Sequence, residues 1–264
     1  MRNSILSGVG RIFYGIAMVG LGLQTIYYRD FPYMLIPPHH SWIPGLTMVT
    51  YIFGALFILA GACIVFERSV ALTGFILAVV LLLIFCFYFV PYQFMATSTY
   101  MHLGEWDNAE KELALSSGSF VIAGSYSKQN EKFLPRLLPK LAPAGVILFA
   151  AIITTFGIDH FLYARDVADY IPSWIPDRLF WAYLAGTALT GSGVGILLKI
   201  KPQLNATLLG TMIFIWVLIL HIPKSIASPF ADMGSEVTSA LIALAYCGIA
   251  FVIAGIVKGN RKVK

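Results

Sequence analysis

Asp159 and His160 stand side by side inside an apolar run, GIDHF, and are the pair in this sequence best suited to chemistry. A carboxylate accepts hydrogen bonds or takes a proton, and an imidazole does either near neutral pH. Ionisable groups within an apolar run cost a few kcal/mol when they face lipid, so they point to a partner or a cavity. Two readings stand. In one, the pair opens a polar pocket for a quinone head group or a proton. In the other, both side chains snorkel to the interface and bond to neighbouring helices. His221, two residues before Pro223, is placed to face His160. Two histidines and an aspartate can ligate a metal, but neither HxxH nor HExxH occurs, and no metal is expected. A bis-histidine haem would have only His160 and His221 to use. His39 and His40 follow two prolines and read as solvated loop residues.

Other candidates lie at helix ends. Arg29–Asp30 and Arg165–Asp166 form matching pairs. They serve either as interfacial anchors with a neutralising neighbour or as a clamp on an anionic ligand. Trp42 and Trp174 sit in two copies of SWIP, where tryptophan marks the headgroup level or roofs a pocket. Cys63, Cys86 and Cys247 all lie in apolar runs without a CxxC, and read as small buried hydrophobes. No nucleophile constellation, phosphate loop or haem attachment motif is present.

The elements that position these residues follow from composition. Of 264 residues, 58% are hydrophobic and 12% charged, with a mean hydropathy of +0.80. Such a chain has too little polar surface to cover a water-exposed globule, so the lipid bilayer is its first partner. The net charge of +5 is spread between apolar runs, which argues against nucleic acid. The first apolar run is long enough to stay in the bilayer, so no cleaved signal peptide is expected. Seven stretches are long enough to span: 9–28, 46–66, 70–90, 145–164, 179–198, 206–226 and 237–257. Residues 106–126 are ambiguous, because WDNAEKE opens them.

An internal repeat resolves the ambiguity. YYRDF at 27–31 returns as YARDV, SWIP at 41–44 returns at 173–176, Pro91 as Pro223, and SFVIAG at 119–124 as AFVIAG; the offsets are 136, 132, 132 and 131 residues. Residues 106–126 thereby match 237–257 and become a fourth helix. The expected fold is all-α, a polytopic membrane protein of about eight transmembrane helices built as two parallel four-helix bundle repeats. Its domains are a first unit at 1–126, a basic linker at 127–144 and a second unit at 145–264. An even helix count keeps both units in one orientation. Thirteen lysines and arginines then lie on the side of the termini and five on the other, so both termini are expected to be cytoplasmic. All five histidines and eleven of the thirteen acidic residues fall towards the outer side.

Gly157 and His160, IPSWIP at 171–176, Tyr183, Gly186, Gly193 and Pro223 resemble the DoxX-like family. The first unit is similar through SWIP, Tyr51, Gly54, Gly61, Pro91 and the small-residue run KELALSSGSFVIAG. The family has one such unit, where this chain has two, and Gln24 stands in place of the histidine in the first. The resemblance implies the fold well. Relatives include subunits of a thiosulfate:quinone oxidoreductase and partners of redox-defence complexes; one acts as a receptor-assembly chaperone. Three functions are therefore expected in order. The first is a quinone-associated membrane subunit of a redox system, in a bacterial inner membrane and beside other redox subunits. The second is a scaffold held by small-residue helices at Gly54, Gly61, Gly186, Gly191, Gly193 and Gly195. The third is a small-solute carrier using Thr154 and Thr155. Whether a reaction is catalysed stays open.

Overall fold

The structure is a computed structural model describing residues 5–37, 45–96, 103–126 and 138–260. Trp42, His39, His40, His102 and residues 127–137 of the linker lie outside them. Among the described residues every regular element is helical: α1 (Ile5–Tyr28), α2 (Leu46–Val65), α3 (Val70–Ile84), α4 (Val90–Ala96), α5 (Asp107–Ser125), α6 (Leu138–Leu162), α7 (Ala164–Tyr170), α8 (Arg178–Leu197), α9 (Pro202–Trp216), α10 (Ile222–Ala227) and α11 (Ser235–Asn260). Seven helical stretches are long and apolar enough to cross a membrane, among them Val70–Met95 and Pro202–Ala227. The chain is thus a multi-pass integral membrane protein. α6 starts at Leu138, inside the expected linker; Pro139 falls in its first turn, where a missing N–H is tolerated, and Pro143 lies inside the helix.

The stretches α3–α4 and α9–α10 are each one continuous rod with a π-helical turn in it, at Phe85–Phe89 and Val217–His221. Pro91 and Pro223 follow closely. Each proline lacks an N–H and crowds the carbonyl four residues back, which widens the preceding turn. The turns after α2 and α8 are also alike. Glu67 and Ser69 adopt positive φ of 53° and 48°, and Lys199 and Lys201 adopt 58° and 41°. In both, three amides fold back onto the last helical carbonyls, as in Arg68 N to Cys63 O and Ile200 N to Gly195 O.

The packing order closes a ring. α2 lies on α1, α1 on α11, α11 on α9, α9 on α8, α8 on α6, α6 on α5, α5 on α3 and α3 on α2, while α5 and α11 also touch across the middle. α11 is the most enclosed of the seven spans, with 72% of its core window buried against 33% for α2. α5 is enclosed as well. It buries Ala109, Glu112, Ala114, Leu115, Ser116, Ser117, Gly118 and Ser119, so protein rather than lipid covers its polar atoms.

Glycines set the closest approaches. A Cβ on Gly22 of α1 would stand 2.5 Å from the carbonyl oxygen of Gly54 in α2. On Gly157 of α6 it would stand 2.5 Å from Thr190 N in α8. Without water to squeeze helices together, contact of this kind holds a membrane bundle. At the end that carries the termini, Arg11 is 1% exposed. It binds Ser7 Oγ at 3.0 Å and Glu67 Oε1 at 2.8 Å, and lies 5.2 Å over the Tyr126 ring. Gly22→Ala should therefore lower stability by about 1–3 kcal/mol through overpacking. Gly191→Ala, with nothing within 4 Å of the new carbon, should not. Thermal unfolding in detergent compares the two, and equal midpoints would contradict this packing.

Candidate functional site

A cavity of about 670 Å³ opens inside the ring, bounded by α6, α8, α9, α11 and the π-turn before α10. Its interior is apolar, with Ile153, Phe156, Ala182, Ala185, Met212 and Trp216 in the wall. Its mouth is polar. Asp107 and Lys111 reach it from α5, Asp166 and Tyr170 from α7, and Ser235 and Glu236 from α11. This is the end of the bundle away from the termini.

Asp159, His160 and His221 all line this cavity. α6 carries the first two where its backbone presses on α8, and Gly186 leaves the room that the His160 Cβ occupies, 2.9 Å from the carbon a side chain would place there. His160 Nδ1 lies 2.7 Å from the carbonyl oxygen of Phe156. A carbonyl only accepts, so Nδ1 carries the hydrogen and Nε2 keeps a lone pair in the neutral ring. The π-turn brings His221 to the opposite wall. Asp159 Oδ1 and His221 Nδ1 are buried and have no hydrogen-bond partner among the described residues. Buried polar atoms are normally satisfied, so these two are open positions for a ligand or water.

The mouth is clasped by groups that sequence reasoning missed. Tyr170 donates its hydroxyl to Glu236 Oε2. Lys224 Nζ lies 3.4 Å from Glu236 Oε1 and 3.1 Å from the centre of the Tyr170 ring. Burial, and then the Glu236 carboxylate, hold the Tyr170 hydroxyl above its usual range and keep it a donor. Burial likewise raises the Tyr33 hydroxyl, helped by Asp232. Tyr33 also lines a second hollow of about 600 Å³, together with Phe89, Tyr92, Gln93, Glu105 and Asn108. At the same rim Lys111 pairs with Asp107 one turn away.

The remaining expected residues are elsewhere. Gln24 is buried and engaged: its amide donates to the carbonyls of Met233 and Gly234 at 2.9 Å, and its oxygen accepts from Thr238 Oγ1 at 3.0 Å. It ties α1 to the first turn of α11. Trp174 is 67% exposed and roofs nothing. Arg29 and Arg165 are exposed and do not line the cavity. Trp42 is among the residues not described. No family model, no curated protein and no solved structure matches the chain.

The clasp is a stability element. Tyr170→Phe removes a bond to a charged acceptor and should cost roughly 1–3 kcal/mol. Trp174→Ala should stay within about 0.5 kcal/mol of the parent. Chemical denaturation in mixed micelles measures both, and an unchanged Tyr170→Phe midpoint would remove the clasp from the account.

Proposed function

We propose that the second half of this membrane protein binds a small amphipathic ligand of the quinone class, head group at the polar mouth and tail in the apolar interior. The observation that carries this reading is the pair of unpartnered atoms, Asp159 Oδ1 and His221 Nδ1, at the rim of an otherwise apolar cavity. The cavity is within the roughly 300–1,000 Å³ that small-ligand sites occupy. A quinone carbonyl accepts from an imidazole N–H, and a quinol hydroxyl donates to a carboxylate or to the free nitrogen of His160. Both ends of such a ring find partners across this opening, and an isoprenoid tail matches Ile153, Met212 and Trp216.

The reading includes a DoxX-like architecture of eight spans in two tandem units, α1–α5 and α6–α11. Several pairings support it. The π-turns, the paired left-handed turns at Glu67/Ser69 and Lys199/Lys201, and the helix starts after Gly45 and Asp177 all recur 132 residues apart. Gly54 and Gly186, and Gly61 and Gly193, make the same contacts. Gly22 and Gly157 correspond at 135 residues, as do Gly10 and Gly145, which pack on Gly248 and Ser117. In that register Gln24 stands opposite Asp159 rather than His160; the extra residue enters beyond the helix end. Phe89, Glu105 and Asn108 of the smaller hollow correspond to His221, Glu236 and Ser239 of the cavity. α5 serves as the eighth span because its neighbours cover its serines. The charge count supports cytoplasmic termini in a bacterial inner membrane.

The scaffold and carrier readings draw less support from these helices. Gly54, Gly61, Gly186, Gly193 and Gly195 meet atoms of this chain's own helices, whereas Gly191 meets nothing within 4 Å. Thr154 and Thr155 donate to Ala150 O and Glu110 Oε2, both at 2.8 Å.

Protein purified gently from its native membrane should carry close to stoichiometric quinone. Asp159→Ala and His221→Ala should each weaken binding by about tenfold, the worth of one hydrogen bond. Ala185→Phe, which imitates Phe53 at the corresponding place, should abolish binding while the fold survives. Only background quinone in the parent protein would sink the proposal. For topology, a single cysteine at Asp177 should react with an impermeant thiol reagent on intact spheroplasts, and one at Lys201 only after lysis. The reverse pattern would invert the orientation.

A further inference from the structure

Glu112 lies on α5 with no exposed surface. Neither of its carboxyl oxygens has a hydrogen-bond partner among the described residues. One turn further along the same face, Ser116 donates to the carbonyl oxygen of Ala78 at 2.8 Å, so this face looks toward α3. A turn beyond that is Ser119, whose hydroxyl meets the hydroxyl of Tyr14 from α1. Tyr14 also donates to Leu115 O at 3.0 Å. The core of this half is otherwise Phe57, Leu77, Leu81 and Phe89, all buried. Ala243, at the position that corresponds to Glu112 in the second half, lines the cavity there. A carboxyl thus stands where the other half is hollow.

Among the described residues no neighbour neutralises it. α3 (Val70–Ile84) carries no titratable side chain. α1 and α11 bring only the hydroxyls of Tyr14 and Tyr246 into its electrostatic reach. On α5 itself Lys111 is paired with Asp107, and Glu110 accepts from Thr155. On α6 Asp159 and His160 face the cavity. A bare carboxylate in such surroundings is too costly to persist, whereas a bound proton leaves a neutral group that packs. A leucine would satisfy packing alone, with nothing to desolvate.

We propose that Glu112 is a proton-binding site inside the first half, and that its proton exchanges toward the end of the bundle carrying the termini through Ser116, Tyr14 and Ser119. Hydroxyl groups accept a proton on one lone pair and release another, which suits them to relay. Successive turns are ~5.4 Å apart along the helix, so the relay from Glu112 to Ser116 calls for a bridging water. Beyond Tyr14 the same helix leads to Arg11, Ser7 and Glu67 at that end. The inference does not depend on what fills the cavity of the second half.

Infrared difference spectroscopy of the full-length protein in lipid, parent against Glu112→Gln, tests it. The expected result is a carboxylic-acid C=O band that Glu112→Gln lacks and that shifts promptly on transfer to D2O. Tyr14→Phe should keep the band and slow its shift severalfold. Absence of the band would mean a charged or otherwise paired Glu112 and overturn the proposal. A band that D2O leaves in place would mean a sealed packing residue and overturn it equally. A Tyr14→Phe variant that exchanges as fast as the parent would overturn the route. If Glu112→Gln does not fold, Glu112→Asp serves in its place, and must displace the band rather than leave it unmoved.

Discussion

Glycine lets the backbone of α6 meet the backbone of α8 at Gly157 and Gly186, where any side chain would hold the helices apart. In a bilayer this contact has no substitute, because lipid tails solvate apolar side chains as well as protein does and exert no hydrophobic pressure between helices. The rest of the second half depends on it. With α6 fixed in rotation against α8, residues 159 and 160 turn inward, and His160 fits only because position 186 has no side chain. The cavity is the space left between this tight pair and α9 with α11. The proline-induced π-turn then supplies the opposite wall, by rotating His221 relative to a regular helix. A backbone approach on one side and a backbone distortion on the other bring the adjacent Asp159 and His160 and the distant His221 around one opening.

Read as two units, the halves share a frame and differ in filling. Phe53 and Phe57 stand where the second half has Ala185 and Leu189, and Phe89 stands where it has His221. Phe31 packs edge-on against Phe53, 5.6 Å between centroids, and helps close the interior. The first half is therefore more filled at these positions, with its own hollow of about 600 Å³ around Phe89, Gln93 and Glu105, and Glu112 is a buried carboxyl within it. Close glycine packing recurs in both, since it maintains the frame. The side chains that fill or vacate the frame were free to diverge.

Much of this was legible in the sequence. The seven apolar runs follow from length and hydropathy alone. The three cavity residues Asp159, His160 and His221 were singled out because charge inside an apolar run demands an explanation. The clasp of Tyr170, Lys224 and Glu236 was not legible, because each residue sits at a helix end where charge looks ordinary, and only the fold brings α7, α10 and α11 together. Trp174, Arg29 and Arg165 lie apart from the cavity: they are interfacial residues in repeated motifs, and they are exposed. Gln24 was polar for a structural purpose, holding the turn at Met233 and Gly234. The weight of Glu112 was hidden among the charges of WDNAEKE, since periodicity alone does not tell which face of α5 is enclosed.

Tyr33 belongs to the walls of both hollows. Two spaces that share a wall share its position. Whatever enters one and displaces that ring changes the shape of the other, and the influence runs equally in both directions. The two hollows thus meet at one shared aromatic ring.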